Sequence, residues 1–128
     1  MAMVKTKEMN TICAISTPYG SGGIAVIRVS GESAIPIVDS LFHGRKSLLE
    51  AAAYTVHYGE IRREIKGDRL EVKGEDEILD QVLVSVFRAP HSFTGEDVVE
   101  IACHGSLYIQ QTLLQWLVDA GCQLAKAG

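Results

Sequence analysis

Residues 90–105 constrain the fold of this chain more than any other stretch. The stretch begins with the turn-forming residues Ser92 and Thr94, whose hydroxyls can accept backbone N–H bonds. It continues as an apolar run over residues 98–103 and ends on the pair His104-Gly105. A short β-branched run bounded by turn residues is typical of a strand in a sheet core. The stretch therefore predicts a turn, a buried strand and a corner.

Two charged residues stand inside apolar runs and are the first candidates for a site. Glu100 interrupts residues 98–103, and Arg28 interrupts the run at residues 24–29. A carboxylate in such a run is costly to bury unless a partner compensates its desolvation. Glu100 either points to the solvated face of a strand or lines a pocket and accepts hydrogen bonds from a ligand rich in N–H donors. Arg28 and Glu100 either form a structural ion pair across the sheet or share a ligand in a common cleft, and the pattern leaves both open.

Hydrophobic periodicity predicts two helices. The first carries an apolar stripe from about residue 33 to residue 42, with Ser30 offering an N-cap. The second, over residues 106–120, is the clearest in the chain, and Gly121 follows it as a C-cap. A short helical turn is also predicted at residues 48–52.

The strand pattern completes an α+β domain. Residues 24–29 are nearly all apolar, which is typical of a strand covered on both faces. The strands predicted at residues 54–65 and 78–87 are antiparallel by hairpin logic, and residues 66–77 predict a mobile hairpin tip with a short strand at 69–72. Further strands are predicted at residues 11–16 and 122–125. The fold class is therefore a mixed, largely antiparallel β-sheet with packed α-helices.

Composition limits the functional classes that remain. A chain of 128 residues with 47% hydrophobic and 22% charged residues fits one globular domain, which we place at residues 10–128 after a disordered tail or expression remnant at residues 1–9. The net charge of −4 argues against a broad nucleic-acid footprint. No apolar run is long enough for a bilayer, and the three cysteines lack metal-type spacing. We therefore expect a cytoplasmic protein with buried thiols, without a membrane partner.

The glycine cluster at residues 20–25 is the only segment that suggests a nucleotide site. It fits the relaxed dinucleotide pattern G-x-G-x-x-A, but the residues after it predict a strand where that pattern needs a helix. A phosphate-binding loop, a nucleophile elbow and a metal-ligand spacing are also missing from the sequence. The glycines then let the backbone approach either a neighbouring strand or a ligand. We predict neither catalytic nor metal-ligating residues.

Two long segments carry a resemblance to a known family. TICAISTPYGSGGIAVIRVSG at residues 11–31 and SFTGEDVVEIACHG at residues 92–105 resemble the N-terminal domain of the tRNA-modification GTPase family TrmE, also called MnmE. The resemblance implies a parent enzyme whose separate G domain hydrolyses GTP with Mg²⁺ and K⁺. With a flavin-dependent partner of the GidA (MnmG) family, that enzyme modifies the C5 position of the wobble uridine in certain tRNAs.

The resemblance also implies a role for this domain. Its family counterpart is similar to the tetrahydrofolate-binding domain of aminomethyltransferases, binds 5-formyl-tetrahydrofolate and forms the homodimer. The folate contacts of the family fall on Arg28 and Glu100. A lysine of the family's folate site lies in a segment beyond Gly128, and Ser106 stands where the family has a second glycine. Without the G domain, we expect this chain to be inactive by itself. The alternatives are a structural dimerisation module without ligand and a stand-alone folate-dependent one-carbon transferase.

Overall fold

A seven-stranded β-sheet organises the chain. The computed structural model describes residues 10–18, 20–65, 75–92 and 94–125. In chain order the elements are β1 (Ile12–Ile15), β2 (Ile24–Ser30), α1 (Ala34–Asp39), β3 (Phe42–Gly44), a 3-10 turn (Leu48–Glu50), β4 (Thr55–Ile65), β5 (Glu75–Phe87), β6 (Val98–His104), α2 (Leu107–Asp119) and β7 (Gln123–Leu124).

The strands follow the order β3-β4-β5-β6-β2-β1-β7. Every neighbouring pair is antiparallel except β1 and β7, which are parallel. The predicted mixed, largely antiparallel sheet of an α+β fold is therefore confirmed. Among the described residues, no helix is both long enough and apolar enough to cross a bilayer.

One face of the sheet carries the core. On the central strands every second residue is buried, and these residues pack with the inner sides of both helices. Burying a single aliphatic side chain of this size stabilises the fold by about 1.5–3 kcal/mol. The central strands β2, β5 and β6 contribute Ala25, Ile27, Val29, Val82, Val84, Val86, Val99, Ile101 and Cys103 to the core.

The opposite face, which we call the open face, has no covering layer within the described residues. Ile24 is 70% exposed, Val56 61%, Tyr58 62% and Leu83 48%. The prediction that residues 24–29 are covered on both faces is therefore wrong. Both described helices contribute to one core, and a β-branched run also suits a strand that is covered on one side only.

Helix α1 ends earlier than its periodicity predicts. The helix stops at Asp39, and Phe42 starts the edge strand β3 by pairing with Ile61 of β4. Both partners are buried, so strand pairing prevails over the helical stripe at this point. Ser30 is also not the N-cap: it ends β2 and its hydroxyl lies 3.0 Å from that of Thr94.

Helix α2 follows the sequence prediction closely. The Ser106 hydroxyl caps its N-terminus by accepting a hydrogen bond of 3.0 Å from the backbone N–H of Ile109. After the helix, Gly121 adopts a φ of +126°, the left-handed region that favours glycine.

The β4–β5 hairpin is longer than predicted. Residues 75–77, which we assigned to a mobile tip, are paired in β5 with residues 63–65. The rest of that tip, including the short strand predicted at residues 69–72, lies outside the described residues, as does the predicted tail at residues 1–9. The register of the hairpin shifts between Ile61 and Arg62, which places a bulge in β5 next to Asp80.

Candidate functional site

Arg28 and Glu100 form an ion pair on the open face. They are directly opposite each other on β2 and β6. The Nε and Nη2 atoms of Arg28 donate to Oε2 of Glu100 over 3.0 and 2.7 Å. The two side chains remain 37% and 23% exposed. Of the two possibilities left open by the sequence, the structure shows the ion pair across the sheet, and the sharing of a ligand between the two residues stays a prediction.

The buried residues on either side of this pair set its position. Ile27 lies opposite Ile101, and Val29 lies opposite Val99, all four on the core face. Since side chains alternate between the faces of a strand, this register directs Arg28 and Glu100 outward together. A shift of either strand by one residue would turn its charge toward the core and its core residues outward, so the hydrophobic core itself specifies the pairing.

The pair lies between small side chains and beside an apolar row. Across the sheet, Ala14 of β1 is opposite Arg28, and Ser85 of β5 is opposite Glu100. The next row on the same face is apolar and consists of Val26, Ala102, Leu83 and Tyr58. This arrangement offers a flat apolar surface with two charged groups at one side. Four of the concave regions of the described surface lie elsewhere, and neither member of the pair lines them.

The glycine cluster packs against the His-Gly corner. Gly22 N–H donates to the Gly105 carbonyl over 3.1 Å, and Gly105 N–H donates to the Gly23 carbonyl over 3.2 Å. The buried Gln110 side chain ties the two segments together by donating to the carbonyls of Gly20 and Gly105 over 3.1 and 3.0 Å. The close approach of the two backbones requires a glycine at Gly105, where a Cβ atom would lie 2.3 Å from the carbonyl oxygen of Gly22, whereas a Cβ atom on Gly22 or Gly23 would meet nothing within 4 Å. Strand β2 follows these glycines directly, where a dinucleotide site would need the start of a helix.

A second polar cluster, Asp80 with His104, was missed by the sequence reasoning. Asp80 accepts the backbone N–H of His104 over 2.7 Å, and its other oxygen lies 2.8 Å from Nδ1 of the same residue. The carboxylate side chain is only 9% exposed, whereas the imidazole is 70% exposed. The acceptor favours a proton on Nδ1 and leaves Nε2 toward solvent. Asp80 and His104 are 24 residues apart in the sequence, and their contact lies beside the bulge in β5. No local sequence pattern therefore predicted it.

Cys103 is buried on the core face. The side chain of the next residue, His104, points in the opposite direction. Burial raises the pKa of the Cys103 thiol from 9.0 to about 11, and the nearby Asp80 carboxylate makes a smaller contribution in the same direction. A backbone hydrogen bond lowers the pKa, but by less. As pH rises above 9.0, the unfolded chain loses this proton before the folded chain does, so the free energy of unfolding should fall toward pH 11.

This environment predicts thiols that do not react in the folded protein. Cys13, Cys103 and Cys122 are all free and buried. We expect an aromatic disulfide reagent at about pH 8 to modify the native chain very slowly, and the urea-unfolded chain rapidly at all three positions, because the thiolate is the attacking species. Rapid modification of the native chain would contradict the assigned burial.

Among the described residues, no group of three His, Cys, Asp or Glu side chains is arranged to hold a metal ion.

The sequence profile of a family described as "GTP-binding protein TrmE N-terminus" matches residues 11–128.

Curated proteins with the printed name tRNA modification GTPase MnmE are similar to the chain. The protein of Parabacteroides distasonis is 54% identical over 123 residues, which cover 94% of this chain and 24% of that protein. Those of Listeria welshimeri (46% over 121 residues; 94% and 24%) and Porphyromonas gingivalis (43% over 131 residues; 100% and 25%) are further examples. The chain spans about a quarter of the length of these curated relatives.

Proposed function

Because the chain belongs to the family of TrmE N-terminal domains, we propose that it is the folate-binding and dimerisation domain of a tRNA modification GTPase. In this proposal the ligand is 5-formyl-tetrahydrofolate. The parent protein is cytoplasmic and hydrolyses GTP, with Mg²⁺ and K⁺, in a separate G domain. It works with a flavin-dependent GidA (MnmG) partner on the C5 position of the wobble uridine in certain tRNAs.

The observation that carries the folate proposal is the ion pair on the open face. A pterin presents an amino group and a ring N–H side by side, and a carboxylate can accept both. Both hydrogen bonds from Arg28 end on Oε2 of Glu100, so Oε1 lies outside this pair and is suited to further donors. Arg28 orients the carboxylate and carries positive charge toward an oxygen-rich part of the ligand, either the formyl group or the glutamate tail.

The chemistry of the neighbouring row also supports a folate. Val26, Ala102 and Leu83 provide an apolar surface next to the ion pair, and Tyr58 extends it by an aromatic ring. Flat heteroaromatic ligands bind to such surfaces, with a few polar groups fixing their orientation. By contrast, a partly exposed ion pair contributes only about 0–1 kcal/mol to stability, so stability alone gives little reason for two charges in these strands.

Glu100→Gln should weaken the binding of 5-formyl-tetrahydrofolate by about 10- to 100-fold, since a hydrogen bond to a charged group is worth about 1.5–3 kcal/mol. The measurement is a calorimetric titration of the 128-residue chain. Glu60→Gln is the matched control, because Glu60 accepts a 3.0 Å hydrogen bond from Arg62 and is 27% exposed. The control should bind folate like the unsubstituted chain.

Equal affinity of the Glu100→Gln and unsubstituted chains would place the pterin elsewhere. If neither binds, the same titration on the parent protein distinguishes a missing downstream contact from a module that binds no folate. Failure of the parent to bind folate contradicts the proposal and favours the structural dimerisation module.

The open face also supports the homodimer in this proposal. Contiguous exposed apolar surface on a sheet is typical of a site of association, and this face exposes Ile24 and Leu83. We expect sedimentation velocity to show a dimer that weakens in Leu83→Asp. A monomer at every concentration, in the chain and in its parent, would contradict dimerisation.

A further inference from the structure

A cleft of about 700 Å³ opens at the edge of the sheet, where β3 leaves β4. One wall is formed by residues 43–46 and the other by residues 56–60. Strand β3 pairs with β4 only from Gly44 opposite Gly59 to Phe42 opposite Ile61. Within the described residues, the outer edge of β4 therefore has no strand partner at residues 56–58. We call this concavity the edge cleft.

The edge cleft contains the two cationic side chains of the described residues that have no partner, Arg45 and Lys46. Arg45 and Lys46 are exposed neighbours in its wall, and their side chains have no ion pair or hydrogen bond to another described residue. Every other described lysine or arginine contacts an acceptor: Arg28, Arg62 and Arg63 bond to carboxylates, and Arg88 bonds to backbone carbonyls. The two cations are thus available to an external anion.

The remaining polar groups of the lining do not cancel this charge. Glu60 is the acidic residue among the lining residues, and its carboxylate already accepts a 3.0 Å hydrogen bond from Arg62. His43 and His57 add ring nitrogens, the second of them 2.8 Å from the hydroxyl oxygen of Thr55. The lining is therefore locally basic in a chain whose net charge is −4.

An exposed aromatic ring lies in the same cleft. Tyr58 is 62% exposed and also lines an adjoining cleft of about 230 Å³ with Leu83 and His104. Val56, 61% exposed, lies two residues away on the same face. Cations that track phosphates, combined with an exposed aromatic side chain on which a base can stack, are the recognition chemistry of single-stranded nucleic acid.

We propose that the edge cleft binds single-stranded RNA, with Arg45 and Lys46 contacting phosphates and Tyr58 stacking on a base. A carboxylate-rich peptide would satisfy the cations but leave the aromatic ring without a partner. Two phosphate contacts make a narrow site, which is consistent with an acidic chain that has no broad basic surface. The proposal rests on the proposed function only for the source of the RNA, a tRNA loop. Its two cations lie outside the Arg28–Glu100 pair, whereas Tyr58 also belongs to the apolar row beside that pair.

The test is fluorescence anisotropy of a labelled RNA hairpin, the size of an anticodon stem-loop, titrated with the 128-residue chain. For two contacts to single-stranded phosphates, the logarithm of affinity should fall with the logarithm of salt concentration with a slope of about −1.4. The double substitution Arg45→Gln and Lys46→Gln should remove most of that slope. It should also lower affinity about tenfold at low salt, the change expected when two phosphate contacts are lost.

Further variants separate the proposed contacts. Tyr58→Ala should lower affinity by about 5- to 150-fold, the range for losing one stacked base, whereas Tyr58→Phe should bind like the unsubstituted chain. The control is Arg63→Gln, which removes a charge from β4 outside the edge cleft without releasing Glu60 from its partner Arg62, and it should leave the salt slope unchanged. Glu100→Gln should retain RNA binding while it loses folate, so failure of one proposal is distinguishable from failure of the other.

Four results would overturn the proposal. The unsubstituted chain could fail to bind the hairpin at low salt, or the Arg63→Gln control could weaken binding as much as the Arg45/Lys46 variant does, which would indicate diffuse charge attraction. An unchanged affinity in Tyr58→Ala would leave only an anion site. A loss of folate affinity in the Arg45/Lys46 variant with RNA binding unchanged would assign the two cations to the glutamate tail.

Discussion

Ile101→Ala should lower the free energy of unfolding by about 2–5 kcal/mol, the range for deleting a fully buried aliphatic side chain. Ile101 is fully buried in β6, and its neighbours across the sheet are Ile27 and Val84. Strands on both sides hold these neighbours in place, so they cannot collapse into the space that the substitution leaves. Urea unfolding followed by the fluorescence of Trp116 measures the change.

Leu83→Ala is the matched control for this prediction. Leu83 lies on β5, next to the same part of β6, but is 48% exposed on the open face. At protein concentrations where the chain is monomeric, its truncation should cost less than about 1 kcal/mol, because little buried surface is lost. Equal losses in the two variants would show that the open face is covered in solution, for example by a second copy of the chain.

Gly105→Ala should destabilise the chain by about 2–6 kcal/mol, since overpacking costs about 1–3 kcal/mol and each of the two lost hydrogen bonds about 0.5–1.5 kcal/mol. A Cβ atom at this position would lie 2.3 Å from the carbonyl oxygen of Gly22 and 2.7 Å from its carbonyl carbon. Those atoms belong to the backbone, so the glycine cluster must move and lose its paired hydrogen bonds with Gly105.

Gly23→Ala is the control for the backbone contact. A Cβ atom on Gly23 meets nothing within 4 Å. This substitution should therefore change stability by less than about 1 kcal/mol, and a reduced entropy of the unfolded chain can even make it stabilising. Unfolding by urea, monitored by circular dichroism, compares the two variants. If Gly105→Ala is as stable as Gly23→Ala, the close packing of the glycine cluster on the His-Gly corner is wrong.

Local patterns in the sequence determined the element types. Short β-branched apolar runs located the central strands, and Ser106 and Gly121 marked the ends of α2, because strand propensity and capping depend on residues a few positions apart. The same local reading was wrong for α1, where the helical stripe continues past Asp39 but Phe42 pairs with β4. The two charges inside apolar strands were also identified from the sequence alone.

The tertiary structure decided how these parts meet. Arg28 and Glu100 are 72 residues apart, and only the pairing of β2 with β6 makes them neighbours on one face. The contact of Asp80 with His104 lies beside a bulge in β5. The edge cleft is present because β3 pairs with β4 over only three residues. The reason is physical: residue periodicity dictates which way a side chain points along its own strand. Which side chains then meet depends on strand order and register, which arise from the packing of the whole core.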